Sequence, residues 1–330
     1  MRRIKIKKKG FSISFEWIFA IVVGSIILFL AIYGISTIIR GGEEFRGKET
    51  AEKIKSYLDP FETGLASGES TEIKFRIESK IYLENCNYLD NNPWGFQTIA
   101  FSEKTFGNKF SRKSEPAYIK NKYVFGEKEI TGKKLYIFSK PFFMGFKVAD
   151  LIIMGNERYC FYKAPREIED ELNLQIEYIN FSDDIEECSG KNVCFNVNNP
   201  NCDIYVYGEC NENCDSIYDY GRVIKKNSNS KEEMFYINNL WIAAIFSSSE
   251  LYECNVQRLM KKFSELGNVY IEKIKILQLK GCDSDVENKL FSAINLAKIL
   301  KNSKELPMIH KEISKFKNAN QAVNTDCQLF

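Results

Sequence analysis

The chain has one histidine, His310, and that scarcity decides much of the chemistry open to it. Ser-His-Asp triads, Cys-His pairs and multi-histidine metal sites would all have to lean on this one side chain, so none is expected. No Walker A, GxGxxG, HExxH or EF-hand pattern occurs, which removes the commonest nucleotide, zinc-protease and calcium readings. Carboxylate-only hydrolysis stays open because it needs just two acids about 5–10 Å apart, and 44 Asp and Glu residues are present. Asp183-Asp184 with Glu186-Glu187 is the densest acidic cluster, read as a solvated loop or a weak cation site. No catalytic residue, metal ligand or cofactor is assigned, and the chain is not expected to be an enzyme.

The ten cysteines carry more information: Cys86, Cys160, Cys188, Cys194, Cys202, Cys210, Cys214, Cys254, Cys282 and Cys327. An even number without a CxxC pair argues for structural disulfides in an oxidising space rather than for redox catalysis. A zinc cluster is the alternative for the five between 188 and 214, although only Cys210 and Cys214 have knuckle spacing. Asn180-Phe181-Ser182 is the one glycosylation sequon, as suits an exposed position outside the cell.

All ten cysteines follow an apolar run from Trp17 to Ile39 that contains no charge and, as a helix, would cover about 35 Å. That length spans a bilayer. Six cations (Arg2, Arg3, Lys5, Lys7, Lys8, Lys9) precede it, so the positive-inside bias keeps the N-terminus in the cytoplasm and sends residues 41–330 outside. Beyond residue 40 the balance of a +2 chain is acidic, which disfavours nucleic acid as a partner. The run is too long for a cleavable secretory signal and closes on Ile-Ile-Arg.

Lys8-Lys9-Gly10 followed by FSISFEWIFAIVVG resembles the class III signal peptide of archaeal type IV pilin-like proteins. The resemblance covers about thirty residues. It implies cleavage by a prepilin-type peptidase between Gly10 and Phe11, after Lys9, and retention of the hydrophobic helix on the mature chain. It also implies that Glu16 pairs with a neighbouring subunit's new α-amine during assembly, a carboxylate at the membrane edge being costly unless paired. Glu16 would be the sixth mature residue, whereas bacterial-type pilins place the acid at the fifth. A plain signal-anchor is the other reading.

The elements that must carry these groups follow from periodicity. Gly41-Gly42 is expected to end the anchor, and Ala51, Ile54, Leu58, Phe61 and Leu65 mark a short amphipathic stalk broken at Pro60, with a linker to residue 70. From Thr71 the period becomes two. Strands are expected there and at 134–138, 147–154, 158–162, 174–181, 202–207, 222–225, 234–237 and 240–246, with a hairpin at Gly155-Asn156 and one helix from Pro165 to Leu172. Asn92-Pro93-Trp94-Gly95 and Phe142-Phe143-Met144-Gly145-Phe146 are apolar loops that either dock a partner or are buried.

After Ser249 the stripes Tyr252 to Leu277, Val286 to Ala297 and Ile309 to Phe316 predict three helices in an antiparallel bundle. Cys254 and Cys282 would sit at opposite ends of the first, too far apart to bond. An up-down-up path instead brings Cys327 to Cys282 and leaves Cys254 to tie the bundle to the β region.

The resulting expectation is an α+β protein: cytoplasmic leader 1–10, transmembrane helix 11–40, stalk and linker 41–70, antiparallel β-rich domain 71–247 and helical region 248–330. Its expected role is that of a single-pass, membrane-anchored structural or adhesive protein at the cell surface, a pilin-like subunit with like subunits, the peptidase and membrane lipid as partners. An anchored receptor or ligand-binding module is the alternative, and an anchored carboxylate hydrolase a third.

Overall fold

The computed structural model describes residues 15–62, 70–87, 94–105, 107–173, 176, 178–209, 218–227, 230–282 and 285–330, without the side chains of 15, 16, 36–44, 171, 173, 227 and 230. It opens with one long helix, α1 (Phe15–Tyr57), and a single turn, α2 (Asp59–Glu62). The diglycine at 41 and 42 does not end the helix as expected. Each glycine costs roughly 1 kcal/mol against alanine in a helix interior, which weakens a helix without breaking it when both flanks are held.

Six strands follow: β1 (Ser70–Asn87), β2 (Phe96–Glu103), β3 (Ala117–Lys120), β4 (Tyr123–Phe125), β5 (Glu129–Met144) and β6 (Phe146–Gly155). They form one sheet in the order β3-β2-β1-β5-β6-β4. Its two edge strands are joined by only Asn121 and Lys122, which at about 3.5 Å per residue forces the edges together, so the sheet curls nearly closed. Gln97 on β2 reaches across that seam and donates to the Val124 carbonyl on β4 at 3.1 Å. Alternate residues Ile81, Leu83, Ile99, Phe101, Ile119 and Ile130 line the inside.

The second sheet is built from β7 (Tyr159–Tyr162), β8 (Ile179–Ser182), β9 (Lys191–Phe195), β10 (Ile204–Glu209), β11 (Tyr220–Asn227) and β12 (Ser230–Ile237), in the order β12-β11-β10-β9-β7-β8. The expectation of an antiparallel β region is corrected here. β7 pairs parallel with both β8 and β9, and β9 with β10, while β4 pairs parallel with β6 in the first sheet. Helix α3 (Arg166–Asn173) provides the crossover from β7 to β8. Gly155-Asn156 is likewise no hairpin: Asn156 donates back to the Thr131 carbonyl on β5 and the chain passes to the other sheet. The tight turn lies ten residues earlier, where Gly145 at φ +85° joins β5 to β6 with the Phe316 ring where a side chain would project.

Residues 240–246, expected as a strand, form helix α4 (Leu240–Phe246), and all seven are buried. An apolar run with no polar face lacks the periodicity that separates strand from helix. Three helices follow, α5 (Ser249–Leu279), α6 (Val286–Ile299) and α7 (Leu306–Ala322); α5 and α7 pack against the sheets, and α6 against α5 and α7. Gln278 on α5 meets Glu287 at the start of α6, Gly267 lies against Ile294, and Gln257 reaches the Lys301 carbonyl beyond its end. One apolar cluster takes in α4 to α7, the second sheet and the far half of β5 and β6, so the β and helical regions share a core. Phe142, Met144 and Phe146 are buried in it, with Phe146 stacked on Tyr270 at 4.2 Å, while Phe143 stays exposed.

Among the described residues four disulfides lock this arrangement: Cys86–Cys254, Cys160–Cys188, Cys194–Cys202 and Cys282–Cys327. Cys254 therefore ties α5 to β1, and the returning α7 brings Cys327 to Cys282, as the helix lengths require. Cys210 and Cys214 lie outside the described residues. In the chain-entropy model the 168-residue Cys86–Cys254 loop is worth about 5 kcal/mol and the 8-residue Cys194–Cys202 loop about half that. Guanidinium melts in detergent should therefore show the Cys86→Ser/Cys254→Ser pair losing more stability than Cys194→Ser/Cys202→Ser.

A buried lysine joins the two layers. Lys225 on β11 donates to the Ser247 carbonyl at the end of α4 (2.6 Å) and to Glu127 (3.2 Å). Burial pulls its pKa below 10.5 despite the glutamate. Between the folded and unfolded values the unfolded chain holds the extra proton, so stability rises as pH climbs through that window towards 10.5. Denaturant melts at stepped alkaline pH should show this rise, and Lys225→Met should flatten it.

Candidate functional site: the long helix and its seat

Helix α1 serves two environments. From Trp17 to Ile35 it is apolar all round and none of it is buried by the rest of the chain; it is long and apolar enough to cross a membrane. From Gly47 onwards one face turns inward. Gly47, Ala51, Ile54 and Leu58 step by four, three and four, and with Phe61 of α2 they pack against the inner face of the curled sheet. This segment, expected as a short amphipathic stalk, packs its apolar face into the head's core. Burying Ile54, Leu58 and Phe61 contributes about 5–9 kcal/mol as an upper estimate.

The seat is close at its lower end. A Cβ on Gly47 would lie 2.8 Å from the Ser114 Cβ and 3.4 Å from the Phe101 carbonyl, so only glycine lets the helix approach here. Ser114 in turn accepts from the Phe101 amide at 3.1 Å, joining the strand edge to the loop beneath the helix. Ion pairs frame both ends. Lys48 pairs with Glu115, while Lys122 sits between Asp59 (3.0 Å) and Glu62 (2.6 Å). Burial lowers the Lys122 pKa, but its hydrogen bonds to Glu62 and Asp59 outweigh that and hold it above the usual lysine value. The pairs fix the direction of the fit: the Gly47 end lies by the β2–β3 loop and the Glu62 end by the turn between β3 and β4.

The residues marked for processing and assembly fall largely outside the described set. Lys9, Gly10 and Phe11 precede it, and Glu16 lies in the first turn of α1 with its side chain undescribed. Elsewhere, His310 stands half-buried on α7, its ring 5.3 Å from Tyr220, beside a cavity of about 350 Å³ lined by Phe143, Asn238, Ser314 and Lys317. Ser314 donates to the His310 backbone carbonyl, an ordinary helical contact rather than a nucleophile's alignment. In the acidic cluster Asp184 caps a 3-10 turn, Ile185–Glu187. No group of three or more His, Cys, Asp or Glu side chains among the described residues could hold a metal ion. Asn180 is exposed on edge strand β8.

One buried constellation carried no obvious sequence signal. Arg258 on α5 is fully buried, donates from Nε to the Trp94 carbonyl (3.0 Å) and from Nη1 to Asn255 Oδ1 (2.7 Å), and stacks 4.9 Å from the Tyr123 ring. Asn255 donates to the same Val124 carbonyl that Gln97 uses. Burial drops the Arg258 pKa to about 10. Next to Cys254, this network clamps α5 across the seam of the curled sheet. The spacing Cys254, Asn255, Arg258 on one helical face is the only hint that the sequence contains.

Truncating the seat should loosen the head. Leu58→Ala is expected to cost about 2–5 kcal/mol and Gly47→Val about 1–3 kcal/mol in denaturant melts of the full chain, whereas Ile26→Val, in the bare half, should leave the melt unchanged. No family model, no curated protein and no solved structure matches this chain.

Proposed function

We propose that this protein is a single-pass, N-in surface protein whose first helix is both its anchor and its assembly element, and that it acts as a structural or adhesive subunit of the pilin-like kind. The observation that carries this reading is the division of labour along one unbroken helix. Its outer half is a core element of the head, and its inner half is apolar and bare of head contacts. A flexible tether would suffice for an anchored monomer. A rigid rod built into the head fixes the head's position relative to the helix, which is what a subunit packing through that helix needs.

On this reading residues 41–330 lie outside, where four disulfides form and persist. The C-terminal helices act as an antiparallel bundle that braces both sheets. A prepilin-type peptidase cuts between Gly10 and Phe11. In the bilayer Trp17–Ile35 is held by lipid until it packs against like helices, and Glu16 sets their register by pairing with a neighbour's α-amine.

Mass spectrometry of the mature protein tests this directly: the N-terminal peptide should begin at Phe11, and an intact Met1 would leave an anchored receptor instead. Sheared surface filaments should contain the protein. Glu16→Ala should lower its incorporation at least about tenfold while cleavage continues, because removing one partner leaves the other charge unpaired in the membrane.

A further inference from the structure

We propose that the hairpin between β2 and β3, residues 104–112, is an interfacial foot that seats among anionic lipid headgroups. The inference rests on the reading that Trp17–Ile35 spans a bilayer. Direction comes first. Gly47 lies against Phe101 and Ser114, and Lys122 binds Asp59 and Glu62, so β3 runs outward alongside the helix and the β2–β3 hairpin points back towards the apolar span.

Height comes next. The last apolar residue of the uncharged run, Ile39, and the first seated residue, Gly47, are eight residues apart, about 12 Å along a helix. Four residues separate Glu103 from the hairpin tip at Gly107, a reach of up to about 13 Å. That brings the tip within range of the headgroup layer, which is roughly 5–8 Å deep on each side of the hydrocarbon.

The hairpin is shaped for that position. Lys104 and Phe110 form an antiparallel bridge, the Thr105 amide and hydroxyl both donate to the Lys109 carbonyl (2.6 and 2.9 Å), and Gly107 and Asn108 take φ of +80° and +61°. Its sequence, KTFGNKFSR from 104 to 112, holds three cations, two phenylalanines and no carboxylate, and Lys113 follows it. Lys104 pairs with Glu78, and Lys113 with Glu84. Lys109 and Arg112 are exposed and make no ion pair among the described residues. Beside the hairpin, Ile77 on β1 is 43% exposed, and Phe45, two residues before Gly47 on α1, is 70% exposed. A cleft of about 280 Å³ between helix and hairpin is lined by Arg46, Ile77, Glu103, Lys104, Thr105 and Ser111. Cations beside exposed apolar groups, turned to the bilayer by a rigid helix, match an anionic lipid surface.

The test uses the full chain in nanodiscs of phosphatidylcholine alone or with phosphatidylglycerol, read by amide hydrogen exchange. Residues 104–112 should exchange roughly tenfold more slowly in the anionic discs, and Lys109→Glu with Arg112→Glu should erase the difference while β1 and β5 keep their protection. Equal exchange in the two lipids, or slowing that survives the charge reversal, would overturn the foot and leave the membrane span standing. Protection that appears only in assembled filaments would assign the surface to a neighbouring subunit and overturn it too. A chain that enters neither kind of disc would remove the span itself, and the foot with it.

Discussion

The packing of Gly47, Ala51, Ile54, Leu58 and Phe61 into the curled sheet is the interaction on which the rest of the molecule depends. A helix that is apolar on all sides for its first half finds no apolar partner in the rest of the described chain. By burying the second half as a core element, the fold makes that apolar half a rigid extension of the head. The glycine at the lower end sets how closely the helix can lie, and the Lys122 ion pairs hold the upper end in place.

The curled sheet can accept the helix because its edges meet. Two residues between β3 and β4 leave no room for a flat sheet, and the seam is then bridged three times. Gln97 and Asn255 share the Val124 carbonyl, Arg258 lies over Tyr123, and Cys86–Cys254 fastens α5 alongside. A fully buried guanidinium is an expensive way to hold a seam, and replacing it with apolar groups is often stabilising in other proteins. Its hydrogen bonds to Trp94 and Asn255 specify which surfaces meet. The fully apolar α4 then fills the space between the two sheets, so the disulfide-rich half and the helix-bearing half share one core.

Several features were legible in the residues alone. The uncharged run from Trp17, the ten cysteines beyond it, the stripes of α5 to α7 and most long strands were read from type and period, because each depends on local pattern. Helix length excluded a bond between Cys254 and Cys282, and the expected up-down-up path paired Cys282 with Cys327. The strands β2, β3, β4 and β9 went unread: β3 and β4 have four and three residues, too few to show a period, and β2 is buried on both faces. The Arg258 constellation was hard to read because its members are spread from residue 94 to residue 258 and most of its hydrogen bonds end on backbone carbonyls.

The sequence by itself determined polarity: which segment is apolar on every side, which part of the chain carries the cysteines, and which face of each helix is apolar. Tertiary structure decided what those faces meet. Alternating residues mark a strand but leave its neighbour open, since pairing is a competition among all strands at once, and here it produced parallel pairs where antiparallel ones were expected. The stripe at Ala51, Ile54 and Leu58 announced an apolar face. Only the curvature of a sheet assembled from residues 70–155 turned that face inward and made a stalk into a core helix.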